Sequence, residues 1–182
     1  ERVAKPFVPV LLAGAVAIWP EASLAAPGVR PWVLVALAAS LVGDVLLLPP
    51  GRLTGGLVAF LVAHLAYLVA FVQLPGSVPW LVVGLVVAVV VAATVGRMLV
   101  LAARGAGMAA PVAAYLVVMC AMAVAATRTG TPAAVAGAWL FVTSDTLLGW
   151  GTFRGADSRR QRVAVIVTYH LAQLLLVVSF LV

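Results

Sequence analysis

Apolar runs about as long as a lipid bilayer is thick leave this chain few folds to choose from. Seven such runs are read, at about residues 6–19, 31–48, 55–74, 79–101, 108–127, 132–152 and 163–181. A helix crossing the hydrocarbon core needs about 20 apolar residues, because each adds about 1.5 Å of rise. Turn-forming residues stand between the runs: Pro20, Pro27 and Pro31; Pro49-Pro50-Gly51; Pro75-Gly76 and Pro79; Arg104-Gly105; Gly130 and Pro132; Arg154-Gly155. The runs are continuous and do not alternate, which excludes a transmembrane β-barrel. The fold class is therefore all-α, a polytopic transmembrane helical bundle with seven helices visible. Charged residues make up 9% of the 182 and hydrophobic residues 65%. A soluble domain carries about 25% charge, so a soluble globular protein, a disordered chain and a disulfide scaffold are all excluded. The lone Cys120 has no intrachain partner.

The basic residues set the orientation. Arg2, Lys5, Arg52, Arg97, Arg104, Arg154, Arg159, Arg160 and Arg162 fall on one side of the predicted bundle, and only Arg30 and Arg128 on the other. Positive loops stay in the cytoplasm. The visible chain is thus predicted to start inside and to end outside at Leu181-Val182. The net charge of +6 is the signature of such loops, and no nucleic-acid partner is expected. Ten arginines to one lysine, in a chain rich in Ala, Val and Gly, suggest a GC-rich bacterium and its inner (cytoplasmic) membrane.

A repeat runs through the helices. Gly43-Asp44-Val45-Leu46-Leu47 pairs with Ser144-Asp145-Thr146-Leu147-Leu148. His64-Leu65-Ala66-Tyr67-Leu68 pairs with His170-Leu171-Ala172-Gln173-Leu174, and Pro9-Val10 with Pro111-Val112. The offsets are 101, 106 and 102 positions, equal to within a loop's length. The pattern reads as one transmembrane domain over 1–182 made of two parallel four-helix repeats, about 1–78 and 79–182. Since the second unit has four helices and the first shows three, an eighth helix before Glu1 is expected, with both termini outside.

Among the five acids, Glu1, Glu21 and Asp157 sit in loops, while Asp44 and Asp145 sit inside apolar helices. A carboxylate there costs a few kcal/mol, faces the bundle interior and marks function or a structural bond to a neighbouring helix. Both lie toward the cytoplasmic end, with Asp44 about 6 Å from the end of its helix at Leu48. Ser40 shares its helical face, four residues earlier. Other polar groups gather in the same leaflet. The third helix presents Phe60, His64, Tyr67 and Phe71 on one stripe, the fifth Tyr115, and the seventh Tyr169, His170 and Gln173. No Gly-x-Ser-x-Gly elbow, phosphate-cradling glycine loop, Cys-x-x-Cys or His-Glu-x-x-His occurs. Hydrolases built on three histidines are excluded, because the chain has only two. No metal and no cofactor is assigned.

These residues resemble a known family. Gly43-Asp44, Ala59-Phe60, Ala63-His64-Leu65, Tyr67 and Phe71, Pro111-Val112 with Tyr115, Phe141-Val142-Thr143-Ser144-Asp145, and Tyr169 with Gln173 are similar, in order and spacing, to the YhhN-type family. The similarity runs from about Lys5-Pro6 to the C-terminus. The family is described with eight spanning helices and includes lysoplasmalogenases. The resemblance implies a hydrolase that cleaves the vinyl ether bond of a lysophospholipid, giving a fatty aldehyde and glycerophospho-ethanolamine or -choline. The family's two intramembrane aspartates map onto Asp44 and Asp145.

Vinyl ethers are cleaved by acid, through protonation of the β-carbon and addition of water to the resulting oxocarbenium ion. Two carboxyls in an apolar bundle suit this, one neutral and donating, one ionised and stabilising the cation. Asp145 is taken as donor and Asp44 as base, with the reverse assignment open. His64, Tyr67, Tyr115, His170 and Gln173 are expected to orient water and the glycerol hydroxyls. Ser40, Ser144 and Tyr169 complete the substrate-binding set, and Arg52, Arg97 and Arg154 are placed to hold the lipid phosphate. The alternative is a transporter of small solutes or lipids, in which the aspartate pair relays protons.

Overall fold

The structure, a computed structural model, describes residues 7–49, 51–155 and 158–181. Glu1, Arg2, Lys5, Pro50 and Asp157 lie outside the described residues, and so does the helix expected before Glu1. Among the described residues seven helices succeed one another: α1 (Phe7–Ile18), α2 (Val29–Leu46), α3 (Leu53–Val72), α4 (Val78–Ala106), α5 (Ala109–Arg128), α6 (Pro132–Arg154) and α7 (Arg159–Val178). No strand occurs among the described residues. The apolar runs thus become helices one for one, as expected of an all-α membrane bundle.

Five of them, α2, α3, α4, α5 and α7, are long and apolar enough to cross a bilayer. The α1 helix has only 12 residues. The α6 helix has 23, but Thr143, Ser144, Asp145 and Thr146 make it the more polar one. Its start and stop are local chemistry. Pro132 occupies the first turn, where no backbone N–H is needed, and Gly155 ends the helix at φ 69°. The fourth helix differs from its predicted span. It runs past residue 101 to Ala106 and includes a π-helical turn at Ala92–Gly96, which apolar periodicity does not reveal.

The broadest helix contacts are α2 on α3 and α6 on α7. The α1 helix packs on α2 and α7, and α5 packs on α3, α4 and α6. Two glycines permit close approach. A Cβ on Gly43 would stand 2.6 Å from the Phe60 ring, and one on Gly137 would stand 2.9 Å from the Leu176 backbone nitrogen. Small residues at helix contacts are the membrane substitute for hydrophobic driving force. The interior is filled by Tyr67, Phe71, Phe141, Phe180, Met119 and Met122, all buried. The α4 helix is the most exposed, with Val82, Val83, Val86, Val89 and Val90 open to the surroundings.

Both arginines of the arginine-poor end are occupied by the protein itself. The Arg128 guanidinium donates to the carbonyls of Leu74 at 2.7 Å and Phe71 at 3.3 Å, closing the C-terminus of α3. Arg30 pairs with Glu21 at 2.9 Å and also donates to the Trp19 carbonyl. The loop between α1 and α2 is tied to the end of α7 by Ala25 N–H to the Phe180 carbonyl, 3.0 Å. The described residues that leave α2, α4 and α6 and enter the next helix lie at the opposite end, and Arg52, Arg104, Arg154, Arg159 and Arg160 are among them.

Candidate functional site

Asp44 and Ser40 stand one turn apart on α2, and Tyr169 and Gln173 one turn apart on α7. The two pairs face each other. The Tyr169 hydroxyl donates to Asp44 Oδ2 at 2.9 Å, and Gln173 Nε2 donates to Ser40 Oγ at 2.9 Å. Gln173 Nε2 also reaches the Tyr169 oxygen at 3.3 Å. From α3 the Tyr67 hydroxyl donates to Gln173 Oε1 at 2.5 Å. All five side chains are buried. Buried polar groups in an apolar medium need partners, and here α2, α3 and α7 supply them to one another. Tyr67 and Gln173 occupy corresponding places in the two repeats read from the sequence, and they meet directly.

Asp145 on α6 forms a second cluster. The Tyr115 hydroxyl of α5 donates to its Oδ2. His64 of α3 approaches the same oxygen, Nε2 to Oδ2 3.6 Å. The other ring nitrogen, Nδ1, lies 2.7 Å from the Phe60 carbonyl. A carbonyl only accepts, so the network assigns the proton to Nδ1. In the neutral ring Nε2 then presents a lone pair toward Asp145. Among the described residues that buried nitrogen makes no hydrogen bond. Its lone pair faces the carboxyl that the Tyr115 hydroxyl also meets.

Aromatic rings separate and connect the two clusters. Phe141 packs edge-on against His64 and Tyr169, with centroids 4.6 and 5.5 Å away. Phe60 packs edge-on against Tyr169 at 5.9 Å, and His64 against Tyr115 at 5.3 Å. Such T-shaped contacts fix ring orientation. Phe141 thus touches a ring from each cluster, and the two carboxyls share one low-dielectric neighbourhood.

A narrow cleft opens beside Asp145. Its walls include Leu53, Leu57, Leu99, Val112 and Phe153. Asp145, Tyr115, Thr146 and Thr152 are its polar lining. The cleft lies toward the arginine-rich end, since it reaches Leu47, Leu53 and Phe153 beside the turns there. The Asp145 side chain is 12% exposed where the His64 side chain is 1%, which is what a carboxyl at a cleft wall requires. Asp44 is not among the lining residues.

The structure brings Ser40, Asp44, His64, Tyr67, Tyr115, Asp145, Tyr169 and Gln173 into two adjoining clusters. Others lie elsewhere. The Ser144 hydroxyl donates to the Val165 carbonyl at 3.1 Å, a bond between α6 and α7. It faces a helix because it lies one residue, roughly 100° of turn, from Asp145. His170 packs its ring on Tyr169 at 5.2 Å and is half-buried. Arg52, Arg97 and Arg154 are exposed and line no part of the cleft. Arg154 lies over the Trp150 ring at 4.6 Å, and Arg97 faces a separate groove on α4. One participant was not singled out from the sequence as a site residue. Phe141 stands four residues before Asp145 as Ser40 stands before Asp44, so the repeat register pointed to it.

Residues 1–180 match the family model of the YhhN family, which is essentially the whole chain. Comparison with curated proteins and with solved structures finds no match.

Proposed function

The chain belongs to the YhhN family, and from that premise we propose that it is an integral-membrane hydrolase of the vinyl ether bond in single-chain glycerophospholipids. The observation that carries this is a carboxyl within the helical bundle, Asp145, at the wall of an otherwise largely apolar cleft. The cleft suits an alkenyl chain, and the carboxyl suits the slow step of vinyl ether cleavage.

The steps are those the geometry allows. Asp145, neutral, passes its proton to the β-carbon of the alkenyl group, and the C=C electron pair forms the new C–H bond. The cation that results is an oxocarbenium ion on the ether oxygen and its carbon. Asp145, now ionised, holds that charge together with Asp44 across the ring partition. The Tyr115 hydroxyl, donating to Asp145, stabilises the carboxylate as it forms. Water adds to the cationic carbon and loses a proton to the carboxylate or to His64 Nε2. The hemiacetal then splits into aldehyde and the free glycerol hydroxyl. Neither carboxyl is consumed.

The duplication belongs to the same proposal. It is supported by the meeting of Tyr67 with Gln173, because a residue touches its own counterpart only near the axis relating two halves. It is supported also by the packing of α3 on α5 and of α7 on α1, which exchange under that pairing. The site is proposed to face the cytoplasmic leaflet of a bacterial inner membrane, because the free arginine excess lies at the cleft end.

The test is aldehyde release from a lysoplasmalogen by purified protein in detergent. Asp145→Asn is expected to lose at least about a hundredfold in rate, and Asp44→Asn a comparable amount, with thermal unfolding unchanged for Asp145→Asn. Full activity in Asp145→Asn would overturn the proposal.

A further inference from the structure

A second opening lies on the outer face of the bundle, between α4 and α5. It is an open groove on the surface of the bundle. Its apolar length includes Leu85, Val89 and Ala92 of α4 and Ala113 and Val117 of α5. Arg97 and Arg104 stand at its arginine-rich end, both exposed. No carboxylate lines it, and no acidic side chain pairs with either arginine among the described residues.

The π-helical turn places those arginines. On an unbroken α-helix Arg97 would project roughly 120° away from Leu85. The extra residue of the Ala92–Gly96 turn rotates the remainder of α4 back by roughly 100°. Arg97 therefore joins the stripe of Leu85, Val89 and Ala92, and Arg104, seven residues on, stays on that stripe. A long apolar trough in line with two unpaired guanidiniums is complementary to one occupant in a bilayer, a lipid with an acyl chain and a phosphate. Arginine binds phosphate oxygens by paired N–H donors, and near the membrane surface each cation adds to the attraction.

We propose that this α4–α5 groove is a binding site for a phosphate-bearing glycerolipid, its phosphate held by Arg97 and Arg104. Leu116 lines both this groove and the Asp145 cleft, so the two openings share a wall there. A lipid resting here is placed for lateral passage into the cleft. That passage rests on the hydrolase reading, whereas the binding itself does not.

Native mass spectrometry of the full chain with an ester-linked lysophosphatidylethanolamine, which has no vinyl ether, reads the binding directly. The variant R97A/R104A is expected to bind at least about tenfold more weakly than wild type. The variant R159A/R160A, which removes the same charge from the same end but away from the groove, is expected to bind as wild type. A maltoside of equal chain length is not expected to compete. Equal binding by R97A/R104A and wild type, equal loss in both pairs, or equal competition by the maltoside would each overturn the site. D145N is expected to bind this lipid normally, so failure of the groove and failure of the hydrolase reading give different results.

Discussion

The Tyr115 hydroxyl is bonded to Asp145, and the Tyr169 hydroxyl donates to Asp44 at 2.9 Å, so each carboxyl has one phenol. Their surroundings differ. Asp145 lines a cleft, while Asp44 sits in a network closed by Ser40, Gln173 and Tyr67. The phenols should therefore answer differently to removal. Tyr115→Phe deprives the developing carboxylate of a donor, and kcat is expected to fall about tenfold or more with little change in unfolding temperature. Tyr169→Phe leaves Asp44 short of a partner inside the bundle, and stability is expected to fall by about 1 kcal/mol. Kinetics and thermal unfolding on both variants check the contrast. The two aspartates were legible from sequence because a charge in an apolar run has few explanations. Their inequality was not, because it depends on which neighbouring rings fill the space, and Phe141 standing where the other half has Ser40 decides that.

At the scale of the helices, proximity is set by what is missing. Gly43 lets the Phe60 ring lie against α2 one residue before Asp44, and Gly137 lets α7 close on α6 at Leu176. Gly137→Ala meets backbone at 2.9 Å, and a cost of about 1–3 kcal/mol in unfolding is expected. Gly43→Ala meets only a ring. It should cost less in a Phe60→Leu background than in wild type, and a double-mutant cycle by thermal unfolding measures that coupling. Helix number and order were readable because length and apolarity alone decide what crosses a bilayer, and Pro132 and Gly155 mark ends by their own backbone chemistry. The turn at Ala92–Gly96 was not readable. A run of valine and alanine has no polar face to show a change of register, so only the alignment of Arg97 with Leu85 in space reveals it.

For the whole molecule, the arginines divide the two ends by more than number. Arg30 and Arg128 are held by Glu21 and by carbonyls of the protein, so the end they occupy offers little free positive charge. The opposite end, toward which the cleft lies, carries exposed Arg52, Arg104, Arg159 and Arg160. With Cys120 replaced by alanine, Ser77→Cys is expected to react with an impermeant maleimide in intact cells, and Ser158→Cys only after the membrane is opened. The reverse pattern would place the cleft in the outer leaflet. The central claim, that an acid at this cleft protonates carbon, is tested most directly by turnover of a lysoplasmalogen in D₂O. The released aldehyde should carry one deuterium on the carbon next to its carbonyl, and Asp145→Asn should release none. Aldehyde without that deuterium, or labelled aldehyde at full rate from Asp145→Asn, would contradict it.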